Sequence, residues 1–356
     1  MVNLEMQANK IKPKQLLAQL RIAIRNRFPI LIAGMPGVGK TDIAHQAAFL
    51  EKADIYVWHP VVEDPTTFKG MPWVVTKIEP DRKGEVRAYH VPFEDMEVII
   101  NAKKPTVVLL DDLGQAPPAV QASAMHLLLA RRIGNHQVSP FVTFIACTNR
   151  KQDKAGVTFI LEPIKGRFTI YELISDLEDW CNWAAENNMP EYLAAFMRWR
   201  PEYLDMFEPT SDIVNSPNPR NIARVGLWMN TGELTEDMEL ATFAACAGTK
   251  FAIEYVSFLK IAKSLSLLML EKILTDPENA EIPDDPAVMY AVCGAIAYRA
   301  KKENFGNIVK YANKLKRNKK AEFSILLIRD CFYRNRELIE TTEFIKWANK
   351  HSDVII

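Results

Sequence analysis

The sequence predicts an α/β fold, in which a parallel-sheet domain comes first and two helical regions follow it. Three observations predict this fold class: short apolar runs alternate with helical patterns, a glycine-rich loop follows the first run, and the second half is helical in pattern almost throughout. Strands that alternate with helices form βαβ units and a parallel sheet. Of the 14 glycines in 356 residues, nine lie at or before Gly166, so most tight turns are expected in the first part.

Four apolar runs, rich in β-branched residues and bounded by turn or polar residues, predict buried parallel strands. The runs are Pro29–Ala33, Ile55–Trp58, Thr106–Leu110 and Phe141–Cys147. Helical patterns fall between them, at Thr41–Lys52 and Pro118–Arg132. We therefore expect one α/β domain over residues 1–172. Within it, the alternating segments VVTKI and EVRAYHV around Pro80–Gly84 predict a β-hairpin insert near residues 68–93.

The chain beyond about Tyr171 places apolar residues at three- and four-residue spacing, which is typical of packed amphipathic helices. The stretch Asp276–Pro286 interrupts this pattern. We therefore expect a helical lid over residues 173–265 and a helical C-terminal extension over residues 266–356.

Composition excludes several classes of protein. With 48% hydrophobic and 25% charged residues, the chain has ample material for a core and is not disordered throughout. Lys plus Arg and Asp plus Glu both number 44, which argues against broad electrostatic attachment to nucleic acid or to a membrane. The five cysteines form no CxxC pair, and the six histidines lie apart, so neither a disulfide framework nor a histidine-built metal centre is expected. No signal peptide or membrane span is evident, which predicts a cytoplasmic protein.

A phosphate-binding loop is the strongest signal in the sequence. GMPGVGKT, Gly34–Thr41, fits the pattern G-x-x-x-x-G-K-[ST] between an apolar run and a helical pattern. Its glycines let backbone N–H groups turn toward phosphate oxygens, and the helix that follows adds its positive N-terminal end. We expect Lys40 to bind the β- and γ-phosphates and Thr41 to ligate Mg²⁺. The predicted nucleotide-binding residues are Gly34, Pro36, Gly37, Val38, Gly39, Lys40, Thr41 and Asp42.

Polar side chains also end two other predicted strands. VVLLDD, Val107–Asp112, closes a buried strand with two acids. At the carboxyl edge of a sheet, Asp111 would hold the Mg²⁺ and Asp112 would orient or deprotonate the attacking water. FVTFIACTN, Phe141–Asn149, would bring Asn149 to the same edge, beside the γ-phosphate and the water.

With these three motifs in order, the first half of the sequence resembles the AAA+ ATPases and, among them, the MoxR-like group. GMPGVGKT is similar to the Walker A loop, VVLLDDLGQAPPAVQASAMHLLLARRIG to the Walker B strand and its helix, and FVTFIACTN to the sensor 1 strand. ILEPIKGRF is similar to the segment that carries an arginine finger, and NSPNPRNIARV to the sensor 2 region. The resemblance covers roughly residues 10 to 250.

The resemblance implies an ATPase with nucleotide sites shared between the subunits of a ring, usually a hexamer, and with ATP and Mg²⁺ as ligands. Arg167 matches the finger that a neighbouring subunit inserts toward the γ-phosphate. Arg220 matches sensor 2 best, with Arg224, one helical turn further on, as the other candidate. The resemblance also implies that the hairpin insert faces a pore or a client, although such a hairpin can merely extend the surface. A protein client or adaptor, such as a von Willebrand factor A domain protein, is implied in the same way.

One position departs from the family pattern. The resembled proteins usually carry Asp-Glu in the Walker B motif, whereas this chain has Asp111 and Asp112. Aspartate is one methylene shorter, so its carboxylate would lie about 1.5 Å further from the water. Since a small misplacement can cost about 100-fold in rate, we expect slow hydrolysis or a nucleotide-gated scaffold.

The leading hypothesis is therefore a remodelling ATPase of the chaperone type that acts on a protein partner. A nucleic-acid loader or initiator is the second hypothesis, because KLKRNKK (Lys314–Lys320) is basic, although Glu271–Asp285 offsets that charge. A weakly hydrolysing, nucleotide-gated scaffold is the third. A GTPase is disfavoured because no Asn-Lys-x-Asp sequence follows Asn149.

Overall fold

The computed structural model describes residues 9–76, 86–153, 156 and 159–350. The chain divides into two compact units between Ser175 and Asp176. In the described part of the chain, the helices are either too short or too polar to cross a membrane.

The first unit contains ten strands and five α-helices among its described residues. Its strands are β1 (Lys10–Ile11), β2 (Ile30–Gly34), β3 (Asp54–Trp58), β4 (Met71–Thr76), β5 (Val86–Val91), β6 (Thr106–Leu110), β7 (Arg132–Ile133), β8 (His136–Gln137), β9 (Val142–Thr148) and β10 (Thr169–Leu173). Its helices are α1 (Pro13–Asn26), α2 (Lys40–Leu50), α3 (Glu94–Ile100), α4 (Pro118–Ala130) and α5 (Glu162–Lys165).

A parallel sheet of six strands forms the centre of this unit, in the order β1-β10-β2-β9-β6-β3. Every residue of β6 and β9 is buried, as expected for apolar strands in the middle of a parallel sheet. The register places Leu110 beside Ala146 and Ala33 beside Thr148, so β2, β6 and β9 end at the same edge. The segments that carry Lys40, Asp111, Asp112 and Asn149 leave the sheet at this edge.

The fold class predicted from the sequence is confirmed: an α/β domain built on a parallel sheet precedes a helical region. The four predicted strands correspond to β2, β3, β6 and β9, with ends that differ by at most one residue. β1 and β10 were not predicted. β1 has only two residues, and TIYEL in β10 mixes polar with apolar residues and is largely half-buried, so neither forms an apolar run.

The hairpin insert consists of β4 and β5, which pair antiparallel with Met71 opposite Val91. The turn predicted around Pro80–Gly84 lies outside the described residues. Met71 and Trp73 are exposed on β4.

The second unit is helical. Its α-helices are α6 (Leu177–Glu186), α7 (Glu191–Trp199), α8 (Pro219–Asn230), α9 (Glu236–Ala247), α10 (Thr249–Lys263), α11 (Leu267–Thr275), α12 (Pro286–Tyr298), α13 (Lys302–Arg317), α14 (Ala321–Arg334) and α15 (Thr342–Lys350). They enclose two hydrophobic clusters, one centred on aromatic residues of α7 and α10 and the other on α12 to α15. Helix α12 contributes to both, with Ala291 in the first cluster and Val292 in the second. The predicted boundary between a lid and an extension at residues 265 and 266 stays a prediction.

A buried ion-pair network joins α6, α7 and α14 within this unit. The side chain of Arg198 is only 3% exposed, and its guanidinium donates to Glu178 at 2.9 Å and to Asp330 at 2.5 Å. Arg329 donates to the same Glu178 carboxylate at 2.7 Å. Because an unpaired buried charge is costly, Arg198 depends on its two carboxylate partners.

Candidate nucleotide-binding site

The loop between β2 and α2 has the backbone geometry of a phosphate cradle. Gly37 and Gly39 have φ angles of 76° and 102°, in the left-handed region that glycine adopts without steric cost. Gly39 is also the N-cap of α2, and no side chain caps that helix end with a hydrogen bond among the described residues. The N-terminal N–H groups and the positive end of the helix dipole are therefore directed at the loop, where an anion is favoured.

The predicted nucleotide-binding residues run from the last residue of β2 through this loop to the first turn of α2. A Cβ on Gly34 would come 3.0 Å from the carbonyl oxygen of Leu173 in β10, so the loop leaves the sheet where there is little room for a side chain. Val38 is buried, whereas Asp42 is exposed in the first turn of α2. The complete predicted set is Gly34, Pro36, Gly37, Val38, Gly39, Lys40, Thr41 and Asp42.

Lys40 is held inside the loop and is only 7% exposed. Its Nζ donates to the carbonyl oxygens of Gly34 at 3.0 Å and Met35 at 3.1 Å. It also donates to Oδ1 of Asn149 at 2.8 Å. Two residues separated by 109 positions in the sequence thus meet at the edge of the sheet. A fixed ammonium group at this place is suited to charge-assisted hydrogen bonds with phosphate oxygens.

Thr41 and Asp111 form the second contact at this edge. The Thr41 hydroxyl donates to Oδ2 of Asp111 at 2.9 Å. The described residues include no group of three or more His, Cys, Asp or Glu side chains that could hold a metal ion. Mg²⁺ needs no such group, because it is commonly held by one or two protein oxygens together with water and substrate phosphates. A hydroxyl and a carboxylate in contact fit that requirement.

Asp112 lies next to Asp111 in an unusual backbone conformation. Its φ is 56°, in the left-handed region, where Asp and Asn are found more often than other non-glycine residues. Its N–H donates to Oδ1 of Asp111 at 3.2 Å, and its Oδ1 accepts from Nδ2 of Asn149 at 3.4 Å. The amide of Asn149 therefore connects the ammonium of Lys40 to the carboxylate of Asp112. Such a chain can orient a polar molecule beside a bound phosphate.

The thiol of Cys147, two residues before Asn149, takes no part in this chemistry. Cys147 is fully buried in β9, and burial raises the pKa of its thiol, with the Asp111 carboxylate acting in the same direction. Because the thiolate is the reactive form, this cysteine is a packing residue.

Arg150 stabilises the segment that carries Asn149, a role that the sequence motifs did not predict. It follows Asn149 directly, and its guanidinium pairs with Asp153 at 2.8 Å and with Glu172 of β10 at 3.3 Å. The hydrogen bond with Asp153 raises the pKa of Arg150, with further contributions from both carboxylates. These pairs tie the segment after β9 to β10 and so hold Asn149 in place. The spacing Arg-x-x-Asp was the available sequence signal.

Arg167 follows α5 and is exposed. Its N–H donates to the carbonyl of Ile164 at 3.0 Å, and its guanidinium makes no hydrogen bond or ion pair with any residue in the described ranges. The structure therefore does not bring Arg167 into the network of Lys40, Asp112 and Asn149. Its role as a finger for a neighbouring subunit stays a prediction.

Arg220 and Arg224 both lie on α8 in the second unit, and both are exposed. Asn218 is the N-cap of this helix, and its side chain accepts a hydrogen bond from the N–H of Asn221 at 2.9 Å. Arg220 therefore occupies the first turn, and Arg224 lies one turn further on the same side. The assignment of either one to sensor 2 stays a prediction.

Comparison with known proteins gives a structural likeness only. No protein-family model matches this sequence, and no curated protein matches it. A point variant of RuvB from Thermotoga maritima aligns over 80% of this chain and 80% of its own, with 17% identity and a TM-score of 0.39. RuvB of the same organism, described as a Holliday junction branch migration motor, aligns over the same shares with 16% identity and a TM-score of 0.36. A protein from Cytophaga hutchinsonii with an inferred ATPase activity aligns over 76% of this chain and 65% of its own, with 13% identity and a TM-score of 0.34. Likenesses this distant identify neither a substrate nor a partner.

Proposed function

We propose that this chain is an ATP-hydrolysing AAA+ ATPase of the MoxR-like type, which works as a ring on a protein partner. One observation carries the proposal: three segments far apart in the sequence meet at one edge of the parallel sheet. Lys40 reaches Asn149 at 2.8 Å, and Thr41 reaches Asp111 at 2.9 Å. This combination of loop, acid pair and polar strand end is what the binding and hydrolysis of a nucleoside triphosphate require.

In this proposal each residue has a separate task. Lys40 exchanges its carbonyl and Asn149 partners for the β- and γ-phosphates when ATP binds. Thr41 and Asp111 supply protein ligands to Mg²⁺, which neutralises phosphate charge when it is bound. Asp112 accepts a proton from the attacking water, and Asn149 orients that water by hydrogen bonding.

The ring belongs to the same proposal. The guanidinium of Arg167 is exposed and has no ion pair with another described residue, which supports a role at the site of a neighbouring subunit, where an arginine would stabilise the charge that develops on the γ-phosphate. We infer a hexamer in the cytoplasm, with Arg220 as the residue that senses the γ-phosphate from the lid. The partner would be a protein client or adaptor, for example a von Willebrand factor A domain protein.

The nucleic-acid alternative loses support from the contacts of the basic run Lys314–Lys320. Lys314 donates to the carbonyl of Glu278 at 2.8 Å, and Arg317 pairs with the Glu278 carboxylate at 2.7 Å. Lys320 donates to the carbonyl of Pro283 and lies 3.6 Å from Asp284. Three basic side chains of the run thus bind groups of the loop between α11 and α12 within the same chain.

ATP binding by the Lys40→Ala variant tests the proposal. Hydrogen bonds to charged groups contribute about 1.5–3 kcal/mol, so we expect affinity for a fluorescent ATP analogue to fall by about 10- to 100-fold. Lys103→Ala, an exposed lysine that precedes β6, is the matched control and should bind as the wild type does. Equal affinity for all three proteins would contradict the assignment of the loop. Binding of a DNA duplex at low salt that declines steeply with added salt would instead favour the nucleic-acid alternative.

A further inference from the structure

Gln121 makes an unusual set of contacts for a glutamine in a helix. It lies in α4 and is fully buried. Its Nε2 donates to the carbonyl of Ala116 at 3.1 Å and to the carbonyl of Phe159 at 2.8 Å. Its Oε1 accepts from the N–H of Leu161 at 3.1 Å. The side-chain amide thus uses both of its N–H donors and its oxygen on backbone groups.

These backbone groups belong to two segments with predicted roles in catalysis. Ala116 ends the short helical turn that starts from Asp112. Leu161 is the N-cap of α5, the four-residue helix that leads to Arg167. Gln121 therefore joins the segment that follows the proposed catalytic acid to the segment that presents the proposed finger.

The three hydrogen bonds of Gln121 connect the two segments through a single side chain. Loss of the Gln121 amide would leave the buried carbonyl of Ala116 without its side-chain partner, at a cost of about 1–3 kcal/mol, and would release the Phe159 carbonyl and the Leu161 N–H. Residues 159 to 161 and Ala116 have no other side-chain hydrogen bond among those found in the described chain.

We propose that Gln121 is a positioning residue. It holds the start of α5 so that Arg167 can place its positive charge at the site of a neighbouring subunit. This inference rests on the proposed ATPase function. Gln121 does not contact the nucleotide in this account, and it acts only through the start of α5. Its loss should therefore lower the turnover number of the ring without weakening ATP binding.

A double-mutant cycle between Gln121 and Arg167 tests the proposal. Gln121→Met keeps a similar volume but removes all three hydrogen bonds. Since a displacement of about 1 Å can cost about 100-fold, we expect kcat to fall by about 10- to 100-fold, with the Kd for a fluorescent ATP analogue within about threefold of the wild type. In the Arg167→Ala background, Gln121→Met should change kcat by less than about threefold, because the arginine through which Gln121 acts is already absent.

Ser123→Ala is the matched control on the same helix. Ser123 is also buried, but its hydroxyl donates only to the carbonyl of Val120 within α4, at 2.8 Å. This variant should lose a little stability and keep its kcat. If Gln121→Met does not fold, Gln121→Asn, which keeps the amide but shortens its reach by about 1.5 Å, takes its place in the same cycle.

The outcomes separate failure of this inference from failure of the proposed function. If Arg167→Ala leaves kcat unchanged, the shared-site ATPase itself is wrong. If Arg167→Ala lowers kcat but the effect of Gln121→Met is fully additive with it, or is absent, Gln121 is a structural residue and the inference is overturned.

Discussion

The length of the side chain at position 112 gives the sharpest test of the proposed chemistry. Asp112 reaches Asn149 only at 3.4 Å, near the long limit of a hydrogen bond. Asp112→Glu extends the carboxylate by about 1.5 Å toward the position expected for the water. A misplacement of about 1 Å can cost about 100-fold, so we expect kcat for ATP to rise by about 10- to 100-fold, or about 1.4–2.7 kcal/mol in activation free energy.

The same substitution should lower stability, because the backbone at Asp112 has a φ of 56°. Asp and Asn tolerate this left-handed conformation, whereas a longer side chain costs about 1 kcal/mol there. We therefore expect Asp112→Glu to gain activity and lose about 1 kcal/mol in the free energy of unfolding. Asp112→Asn should keep the stability of the wild type and lose at least about 100-fold in kcat, because an amide cannot accept the proton.

Three measurements check this prediction: the steady-state rate of ATP hydrolysis, the Kd for a fluorescent ATP analogue and equilibrium unfolding in urea. Asp237→Glu, at an exposed position in the first turn of α9, is the control for the change from Asp to Glu. The reasoning is refuted if Asp112→Asn hydrolyses ATP at the wild-type rate. It is refuted equally if Asp112→Glu binds ATP normally and hydrolyses it more slowly than the wild type.

Three further predictions follow from the contacts of single residues. Thr41→Val should raise the Mg²⁺ concentration needed for half-maximal hydrolysis by about 10-fold, measured by titration at fixed ATP, because it removes one proposed ligand; an unchanged Mg²⁺ dependence would exclude that role. Asp330→Asn should lower the free energy of unfolding in urea by about 1.5–3 kcal/mol, because it removes one of the two carboxylates that pair with the buried Arg198, whereas Arg317→Ala, which breaks an exposed pair, should cost less than about 1 kcal/mol; equal losses would contradict this view of the network. All five cysteines are buried, and burial raises the pKa of Cys181 to about 12, so a thiol reagent at pH 8 should label them only after unfolding; fast labelling of the native protein would contradict the packing.

The central strands and the loop could be predicted because their signals are local. An apolar run such as Thr106–Leu110 is continuous in the sequence, and its position in the structure is the same. The phosphate loop is equally local, since the positive φ angles at Gly37 and Gly39 require the residue type that the motif displays. The meeting of Lys40 with Asn149 followed from one general rule, because parallel strands bring their carboxyl ends to a common edge.

Contacts at long range could not be predicted in the same way. Gln121 appears in the sequence as one more polar residue of a helix, whereas two of its three backbone partners lie 38 and 40 residues further on. β10 has no apolar run to mark it, and its strand is specified by pairing with β2 over its whole length. The roles proposed for Arg167 and Arg220 concern contacts with a neighbouring subunit and with bound nucleotide, which no local pattern in the sequence determines.

The central claim is a nucleotide site that subunits share, and doping tests it most directly. ATP hydrolysis per subunit is measured across a series of protein concentrations, with Arg167→Ala mixed into the wild type and Arg132→Ala, another exposed arginine, as the control dopant. We predict a specific rate that rises with concentration and that falls on doping with Arg167→Ala by more than dilution alone explains. A specific rate that is independent of concentration and falls only in proportion to dilution would mean that each subunit hydrolyses ATP alone, which would contradict the account.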